Sequence, residues 1–584
     1  MGIYQWSTTA AENDDAADDI NWAEGQAPST VNNSARQMMA DVAEWIQDNQ
    51  MWVSARYYGA TGDGTTDDTA ALQSALDTGK NVLIERGTYL VTAELLTKAN
   101  YQRVHGAGRN ETIIEVKSGF DLTDSGVFHV DHLLCEIADL TVRFDQSSAT
   151  DRASLVAYPP AIYCDGASAG RRLRGFRLRF EAAYEGVVMN GNAGGALFDD
   201  IECGSLHRGF VADGTLAVVE LRRWHVWPFG FAADTTLFDG IYQDGNTVAW
   251  RMGKMDALKM VSCISLRGKF ETFEGVGSRG PFGEITGLSM DQQSAVIDIA
   301  AGELNVAGFY STKNGASDYY LKVSGNAQVT LSSYDMGTGG ASSEPLIEVT
   351  GGVLTMGNGI VGTGAHDNTI LSVSGGECLV SNTRFFGTDI ARSNPLIEQS
   401  STGTLSLTGC RFTPTISAGS GTALSVGADG THVIMGNQFG GYDVSLPAVA
   451  DMVFAANEGI GNVAAVNEYA GAHRFDRVSA DRIFTAALTI ADDAVETYTP
   501  AVGSGALMVI ASGNRVALLG YSTAAGATYS IAETGSGVIE LADGALTGTT
   551  GNDTKITIGC HTDGDIYVEN RTGSSVTARI VPLG

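Results

Sequence analysis

Acidic and basic side chains recur at matching positions in three consecutive segments of this chain. The segments align on Gly186, Gly209 and Gly230, which are 23 and 21 residues apart. If each segment contains a β-strand, a period of two residues turns two sets of polar side chains towards the outer face. One set consists of Arg179, Glu202 and Arg223, and the other consists of Asn190, Asp213 and Asp234.

The acids in these segments could cleave a glycosidic bond as a pair of carboxylates. Neighbouring parallel strands lie about 4.8 Å apart, and retaining glycosidases hold their two carboxyl groups about 5–5.5 Å apart. Asp213 and Asp234 could meet that spacing. With Glu181 or Glu202 across a groove, they could instead meet the separation of about 6.5–9.5 Å that inverting enzymes use. We therefore expect catalysis by these four residues, although Asp213-Gly214 is also typical of an ordinary turn.

Large aromatic side chains in the same part of the sequence suggest contacts with sugar rings. Three of the seven tryptophans fall within 27 residues. Some of them must fill the core, whereas any that face outward would give flat apolar platforms with a polar rim, which suit sugars. Arg179 and Glu202 could alternatively form only a salt-bridge ladder. The residues that we expect to bind substrate are Arg179, Arg223, Trp224, His225, Trp227, Tyr242 and Trp250.

A sequence repeat between Val296 and Val433 indicates the scaffold that positions these side chains. Equivalent residues follow at steps of 24, 26, 24, 26 and 27, and they are Ile299, Val323, Val349, Val373, Gln399 and Val426. Each copy contains short apolar strands separated by turns with Gly or Ser, and no helical pattern. This arrangement is typical of a parallel β-helix, in which each rung buries its inner face on the next rung. We expect irregular rungs over 130–290 and regular rungs over 296–456, within a β-helix that spans 56–456.

The two ends of the sequence predict different structures. Residues 1–55 contain a helical pattern that indicates either an oligomer seam or packing within one domain. Its apolar residues are spaced 4-3-4-3 and are Val31, Ala35, Met38, Val42 and Trp45. Residues 457–487 are expected to form a connecting segment, and residues 488–584 contain short strands with glycine-rich turns, which predict a β-sandwich. The expected fold is an all-β solenoid with a short α-helical segment at one end and a sandwich at the other.

Composition excludes several classes of function. The 584 residues include 73 glycines and only 18% are charged, which suits a turn-rich all-β protein. A net charge of −31 argues against non-specific nucleic-acid binding, which needs a basic surface. No stretch has the length and apolarity of a membrane span, and the sequence starts without a secretion-signal pattern. Seven scattered cysteines without metal spacing are expected to be core residues of a chain made in a reducing cytoplasm.

Residues 58–77 have the sequence YGATGDGTTDDTAALQSALD, and residues 104–109 have the sequence VHGAGR. These motifs resemble the opening of the pectate-lyase-like right-handed β-helix superfamily, which includes polygalacturonases and phage tailspikes. The resemblance implies that the solenoid is right-handed. The chain departs from the family pattern at Glu85-Arg86, where family members often carry Pro.

The acidic part of this motif has a structural explanation. A Gly-Asp-Gly turn and a cap at Thr66 or Asp67 would start a helix over 68–76 that covers the open end of the first rung. Asp63, Asp67 and Asp68 could alternatively hold a metal ion, but carboxylates are common at helix starts. We expect neither a metal site nor another cofactor.

A second, shorter resemblance concerns residues 20–36, which are similar to the N-terminal segment of tail-fibre and tailspike proteins of tailed bacteriophages. The two resemblances imply a virion protein, made in the host cytoplasm, that docks on a phage tail or baseplate protein through residues 1–55. They imply a homotrimer that binds a capsule, exopolysaccharide or O-antigen of the host surface. The sandwich would trimerise or bind glycans. Neither nucleic acid nor membrane insertion is expected.

Three functions stay open on this scaffold. The expected one is depolymerisation of a surface polysaccharide by hydrolysis with paired carboxylates. A polysaccharide lyase would instead need a base and a cation that neutralises a uronate carboxylate. Residues that could serve the lyase reaction are Arg177, Arg179, Tyr184, His207, Arg222, Arg223 and His225. A receptor-binding fibre without catalysis would multiply weak sites through trimer avidity.

Overall fold

The computed structural model contains two compact units, Met1–Gly430 and Thr431–Gly584. In the first unit the strands coil in parallel, and the second unit includes two further sheets. The residues that the structure describes are 27–49, 51–166, 172–191, 194–291, 297–313, 319–338, 344–362, 367, 369–387, 393–414, 421–427, 431–446, 452–458, 460, 463–465, 486–500, 504–511, 515–522, 524–525, 527–534, 539–549 and 552–583.

Three parallel sheets make up the coil, and each strand pairs with the equivalent strand one turn later. The first sheet contains Trp52–Ser54, Asn81–Ile84, Arg103–Gly106, Glu136–Ala138, Met255–Val261, Pro281–Thr286 and Thr404–Thr408. The second contains Asp63–Asp67, Gly87–Val91, Thr112–Val116, Thr141–Phe144, Ile264–Leu266, Ser289–Asp291, Ile360–Gly362, Arg384–Gly387 and Arg411–Pro414. The third contains Leu95–Leu96, Phe128–Val130, Ile162–Gly166, Val248–Met252, Lys269–Thr272, Ile297–Ile299, Leu321–Val323, Ile397–Gln399 and Thr422–Val426.

Longer strands run through more than one sheet without a break. They are Arg172–Gly191, Gly195–Ala212, Thr215–Val226, Glu303–Lys313, Gln328–Thr338, Ile347–Gly357 and Leu371–Ser381. The parallel strands make about 14 turns, which confirms the predicted β-helix. Each turn buries its inner face on its neighbours, because a single rung cannot bury its own apolar side chains.

A residue in the left-handed region marks the corner between the first and second sheets. In successive turns its φ lies between 46° and 68°. The corner residues are Asp139, Arg177, Asp200, Arg223, Ser262, Gly287, Gly308, Ser333, Asn358, Asn382 and Gly409. Glycine adopts this conformation freely, and Asn and Asp tolerate it better than most residues. The corner redirects each strand and so decides which side chains face outward on the second sheet.

The regular rungs follow the predicted repeat. Ile299 pairs in register with Val323, and the series continues through Val349 and Val373 to Gln399 and then Val426. Every member of the series is buried. Gln399 keeps its amide in the core because its Nε2 donates to the carbonyl of Gly403 at 2.7 Å.

The predicted cap of the first rung is the helix Thr69–Asp77, which buries Leu72, Ala75 and Leu76. The acidic residues before this helix accept hydrogen bonds from backbone N–H groups. The fully buried Asp68 accepts hydrogen bonds from the backbone N–H groups of Thr61 and Gly62 at 2.6 and 3.0 Å.

Asp63 is held in a similar way, since Thr66 and Thr65 donate to it. These hydrogen bonds lower the pKa of Asp63 well below its usual range. The acids of the motif therefore fix the turn. Among the described residues, no group of three or more His, Cys, Asp or Glu side chains could hold a metal ion.

The N-terminal helix extends over Pro28–Asn49. Of the predicted seam, Val31 is exposed, whereas the buried residues are Ser34 and Asp41. Residues 1–26 lie outside the described residues, as does the side chain of Trp45. No helix among the described residues is long and apolar enough to cross a membrane.

The second unit combines short parallel strands with two further sheets. The parallel strands are His432–Met435, Asp443–Leu446, Met452–Ala455 and Val463–Ala465. One sheet has the order Ala486–Ile490, Val576–Leu583, Ser504–Ala511, Arg515–Ser522 and Ala527–Thr534. The other has the order Ala494–Tyr498, Ile566–Asn570, Ile556–Cys560 and Ile539–Asp543. The two sheets share one core that includes Leu507, Val509, Ile558 and Val568, as expected of a sandwich.

Candidate functional site

Three polar side chains form a column across the second sheet on the irregular rungs. In the strand register Arg179 lies beside Glu202, and Glu202 lies beside His225. The predicted column is therefore correct for its first two members, but the third is His225 and not Arg223. Arg223 is the left-handed corner residue of its rung, and its guanidinium lies 2.7 Å from Asp199.

Ion pairs engage both glutamates that the sequence predicts to be catalytic. Arg179 Nε lies 2.5 Å from Glu202, and Arg179 Nη1 lies 3.5 Å from Glu181. A second guanidinium reaches each acid. Arg109 lies 2.8 Å from Glu202, and Arg143 lies 2.7 Å from Glu181, which is only 7% exposed. Neither carboxylate is available to a substrate unless an ion pair opens.

Asp213 accepts hydrogen bonds from the backbone of the next two rungs. The register ends with Ala212 beside Met252, and the next residue on the following rung is Gly253, so no second carboxylate follows Asp213 in the column. Its Oδ1 accepts hydrogen bonds from the N–H groups of Lys254 and Val276 at 2.9 and 3.1 Å. The predicted pairing of Asp213 with Asp234 is wrong.

Asp234 lies in an insertion and not on a rung. Residues 227–247, which we call the arch, leave the coil between two of its strands and contain the short helix Thr235–Ile241. Asp234 Oδ1 accepts from the N–H groups of Thr236 and Leu237, both at 2.9 Å. Asp234 is therefore the N-cap of this helix, and the inserted arch removes it from the column in which the sequence places it.

Three of the predicted substrate contacts are core residues. Trp224 aligns with Ile201 and Trp250 aligns with Phe210, so both indoles point into the coil and are fully buried. Tyr242 is also fully buried, in an outer cluster beneath the arch. The prediction that these three side chains bind sugar is wrong, because the strands turn Trp224 and Trp250 into the coil and the arch packs Tyr242 into its own buried cluster.

The arch carries two aromatic rings beside the polar column. The ring of His225 has its centre 5.6 Å from that of Trp227 and 5.2 Å from that of Phe229. The guanidinium carbon of Arg179 lies 5.6 Å from the centre of the Phe229 ring. Trp227 is 38% exposed and can offer its face to a ligand. We call this surface the arch face, and its members are Arg109, Arg179, Glu202, His225, Trp227 and Phe229.

His225 is the group on the arch face that is best prepared for proton transfer. Burial lowers its pKa, and the nearby Glu202 opposes this effect only in part. Its Nε2 is buried and has no hydrogen-bond partner among the described residues. An imidazole in this state is neutral at pH 7, and it can accept a proton from a bound molecule once its buried Nε2 becomes accessible.

A second histidine stands near the base of the arch. His207 stacks on Tyr184 with the ring centres 4.7 Å apart, and Tyr184 packs against the cluster beneath the arch. Burial lowers the pKa of His207 to about 4, and the positive charges of Arg208, Arg152 and Arg251 add to this effect. His207 is therefore also neutral at pH 7, in surroundings rich in guanidinium groups.

Sequence reasoning missed several members of this surface. Arg109 lies 91 residues before its partner Asp200, at a hydrogen-bond distance of 2.6 Å, and no local pattern connects them. Arg143 could have been found, because it alternates with buried residues in the strand Thr141–Phe144. Phe229 lies among the aromatic residues of this part of the sequence, but no spacing pattern distinguishes it from the others.

Comparison with known proteins agrees with the motifs. Residues 52–141 match a family described as rhamnogalacturonase A/epimerase, pectate lyase-like. The chain is 38% identical over 82 residues to the mannuronan C5-epimerase AlgE2 of Azotobacter vinelandii, a match that covers 12% of this chain and 8% of that protein. It is 36% identical over 66 residues to the pre-neck appendage protein of Bacillus phage phi29, covering 11% of this chain and 8% of that protein.

Solved structures similar to this chain include phage tailspikes. The tailspike of E. coli bacteriophage HK620 in complex with a hexasaccharide is 11% identical, with 93% of this chain and 94% of that chain covered and a TM-score of 0.49. The tailspike gp49 of Pseudomonas phage LKA1 is 10% identical, with 90% and 98% covered and a TM-score of 0.38. The chain spans less than a tenth of the length of the two curated relatives described above.

Proposed function

We propose that this chain is a phage spike protein that binds an acidic polysaccharide of the bacterial surface and depolymerises it. The observation that carries the proposal is the arch face, where an exposed Trp227 stands beside guanidinium groups and a neutral His225. An aromatic ring stacks on the apolar face of a sugar, and guanidinium groups bind carboxylates with directed hydrogen bonds. The match to a mannuronan epimerase supports the same class of ligand, and the match to a phage appendage protein supports a place on the virion.

The arch face supports β-elimination better than hydrolysis. Hydrolysis needs one carboxylic acid to donate a proton and one free carboxylate to activate water or attack the sugar. Glu181 and Glu202 are both held by two guanidinium groups, and the pair formed by Asp213 and Asp234 does not exist. The lyase reaction instead needs a base and a cation. His225 would supply the base, and Arg179 and Arg109 would supply the cations when a uronate carboxylate takes the place of Glu202 beside them.

In the proposed reaction, the His225 ring turns so that its buried Nε2 reaches the substrate, where it removes the proton next to the carboxylate of a uronate residue. Arg179 and Arg109 stabilise the negative charge that develops on that carboxylate. The electron pair of the broken C–H bond forms a carbon–carbon double bond, and the glycosidic oxygen leaves and takes up a proton. The products are a shortened chain and an unsaturated sugar, and no water is consumed.

Incubation with alginate and a panel of uronate-containing capsular polysaccharides tests this function. We expect shorter products that absorb ultraviolet light, and His225→Gln should abolish cleavage while binding persists. Trp227→Ala should weaken binding. His561→Gln, in the second unit, serves as the matched control and should behave as the wild type. Full activity of His225→Gln would overturn the assignment of the base, and shortened products without ultraviolet absorbance would indicate hydrolysis.

A binder without catalysis is the second candidate. The ion pairs between carboxylates and guanidinium groups on the arch face favour a binder, since a site that only binds a ligand needs no free carboxylate. Intact polymer after prolonged incubation, together with binding that Trp227→Ala weakens, would establish this alternative.

We also propose that the chain assembles as a homotrimer and docks on a phage tail or baseplate protein through residues 1–55. The support is the resemblance of residues 20–36 to virion-docking segments. The mass of the full chain in solution tests the assembly, and a monomer at micromolar concentration would contradict it. Removal of residues 1–55 should leave the trimer intact but prevent incorporation into virions.

A further inference from the structure

An open groove of about 240 Å³ lies on the first sheet, in rungs beyond the arch face. Residues that line it are Asp256, Lys259, Phe282, Glu284, Glu303 and Asn305. They come from the strands Met255–Val261, Pro281–Thr286 and Glu303–Lys313, which are consecutive in the sheet. The groove is therefore a feature of three stacked rungs and not of a loop.

The register explains why these side chains converge. Lys259 lies beside Glu284, and Glu284 lies beside Asn305, while Phe282 lies beside Glu303. Two columns of outward side chains thus run side by side along the sheet. Gly283 lies between them, where an added Cβ would meet the Leu258 carbonyl oxygen at 2.1 Å.

The polar side chains of the groove have no protein partners. No hydrogen bond or ion pair joins the side chains of Asp256, Lys259, Glu284, Glu303 and Asn305 to another described residue. The arch face is different in this respect, because guanidinium groups engage its acids. Polar side chains that make no protein contact are bound by water, and a ligand can displace that water without breaking an ion pair.

Phe282 adds an apolar platform to the groove. Its side chain is 42% exposed and has no aromatic neighbour among the described residues. Val218, which is also exposed, pairs with Ala257 and extends the apolar strip towards the preceding rung. A sugar ring stacks on such a platform while polar groups at its edge bind hydroxyl or amino groups.

We infer that this groove is a second glycan-binding site and that its ligand contains an amino sugar with a free ammonium group. Three carboxylates surround Phe282 and only one ammonium group, that of Lys259, opposes them. This excess of negative charge attracts a cationic sugar and repels a uronate. The inference goes beyond the proposed function, because the face, the residues and the preferred charge differ from those of the arch face.

Titration calorimetry of the full chain with three probes tests the inference. The probes are an oligomer of glucosamine, the same oligomer fully N-acetylated, and an oligomer of mannuronate. We expect the glucosamine oligomer to bind, with affinity that decreases as salt increases because the contact is between charges. N-Acetylation removes the positive charge and should weaken binding about tenfold or more, since a charge-assisted hydrogen bond is lost.

Variants locate the site. Phe282→Ala and Glu284→Gln should each weaken glucosamine binding about tenfold. The matched control is Glu377→Gln, because the exposed Glu377 continues the column of Phe282 and Glu303 on a later rung, outside the groove. Unchanged melting temperatures in all three variants would show that the fold is intact.

Several outcomes would overturn the inference. One is that the glucosamine oligomer does not bind, and another is that its N-acetylated form binds with the same affinity. A third is that Glu377→Gln weakens glucosamine binding as much as Glu284→Gln does, which would indicate a general effect of the acidic surface. His225→Gln should leave glucosamine binding unchanged. Failure of the groove and failure of the arch face are therefore separate results, each with its own ligand and variants.

Discussion

Arg152 binds Asp244 through two hydrogen bonds of 2.6 and 2.7 Å, although 92 residues separate them in the sequence. The same guanidinium donates to the carbonyl oxygens of Leu206 and Ile241 at 2.6 and 2.8 Å. One side chain thus ties the arch to a strand of the coil and to the segment that carries Arg152.

Arg152→Ala should loosen the arch. The change removes the guanidinium from Asp244 and from the carbonyl groups of Leu206 and Ile241, although Thr247 Oγ1 still donates to Leu206. We expect it to cost about 2–3 kcal/mol of unfolding free energy. Hydrogen exchange should show faster exchange over 235–247 and little change in the regular rungs. Arg223→Ala removes an ion pair with Asp199 that lies outside the arch, so it should leave exchange over 235–247 unchanged. Equal protection of the arch in both variants would contradict the role given to Arg152.

Substitutions at Asp213 should affect stability and not turnover. Asp213→Ala removes the acceptor for two backbone N–H groups and should cost about 1–3 kcal/mol. Asp213→Asn keeps an acceptor oxygen and should cost less. Both variants should retain the activity of the wild type per folded molecule. A loss of turnover by orders of magnitude in Asp213→Asn, with stability unchanged, would restore the catalytic role that the sequence suggests.

His207 should make the stability of the protein depend on pH. Its pKa is about 4 in the folded chain, whereas that of a free imidazole is 6.5. Between these values the unfolded chain binds a proton that the folded chain does not, so the unfolding free energy decreases as pH falls from about 6.5 to about 4. His207→Phe keeps a ring against Tyr184 and should remove this part of the pH dependence. Parallel pH profiles of the two proteins would contradict the prediction.

Replacement of a glycine at the left-handed corner should cost stability through backbone strain. Gly287 has a φ of 68°, and an added Cβ would meet nothing closer than 3.7 Å. Gly287→Ala should therefore cost about 1–2 kcal/mol through backbone strain alone. Gly337 also has open space around it but no left-handed φ, so Gly337→Ala is the matched control and should not destabilise. Denaturant unfolding of both variants and of the wild type measures the change in unfolding free energy that each substitution causes.

Local periodicity was sufficient to predict the scaffold. The steps between Ile299 and Val426 locate equivalent residues of successive rungs, because each rung needs the same inward side chains to build one continuous core. The cap helix was predicted to within a residue at either end, since a turn, a cap and an apolar stripe are all encoded within a few neighbouring positions.

The residues of the candidate site could not be predicted from local sequence for two reasons. Alternation with a period of two holds only within a strand, and the left-handed corner at Arg223 resets it, so that Trp224 turns inward and His225 outward. The inserted arch also changes the number of residues between equivalent positions of successive rungs. For this reason Gly230 and Asp234 do not continue the columns of the two preceding rungs.

The sequence by itself determined the solenoid, its cap and the part of the chain in which polar and aromatic residues are concentrated. Only the tertiary structure decided which of those residues meet. Arg109 reaches Glu202, and Arg143 reaches Glu181, because stacking brings distant rungs to adjacent positions. An ion pair depends on distance in space, and nothing in the local sequence records which residues of other rungs will lie within its reach.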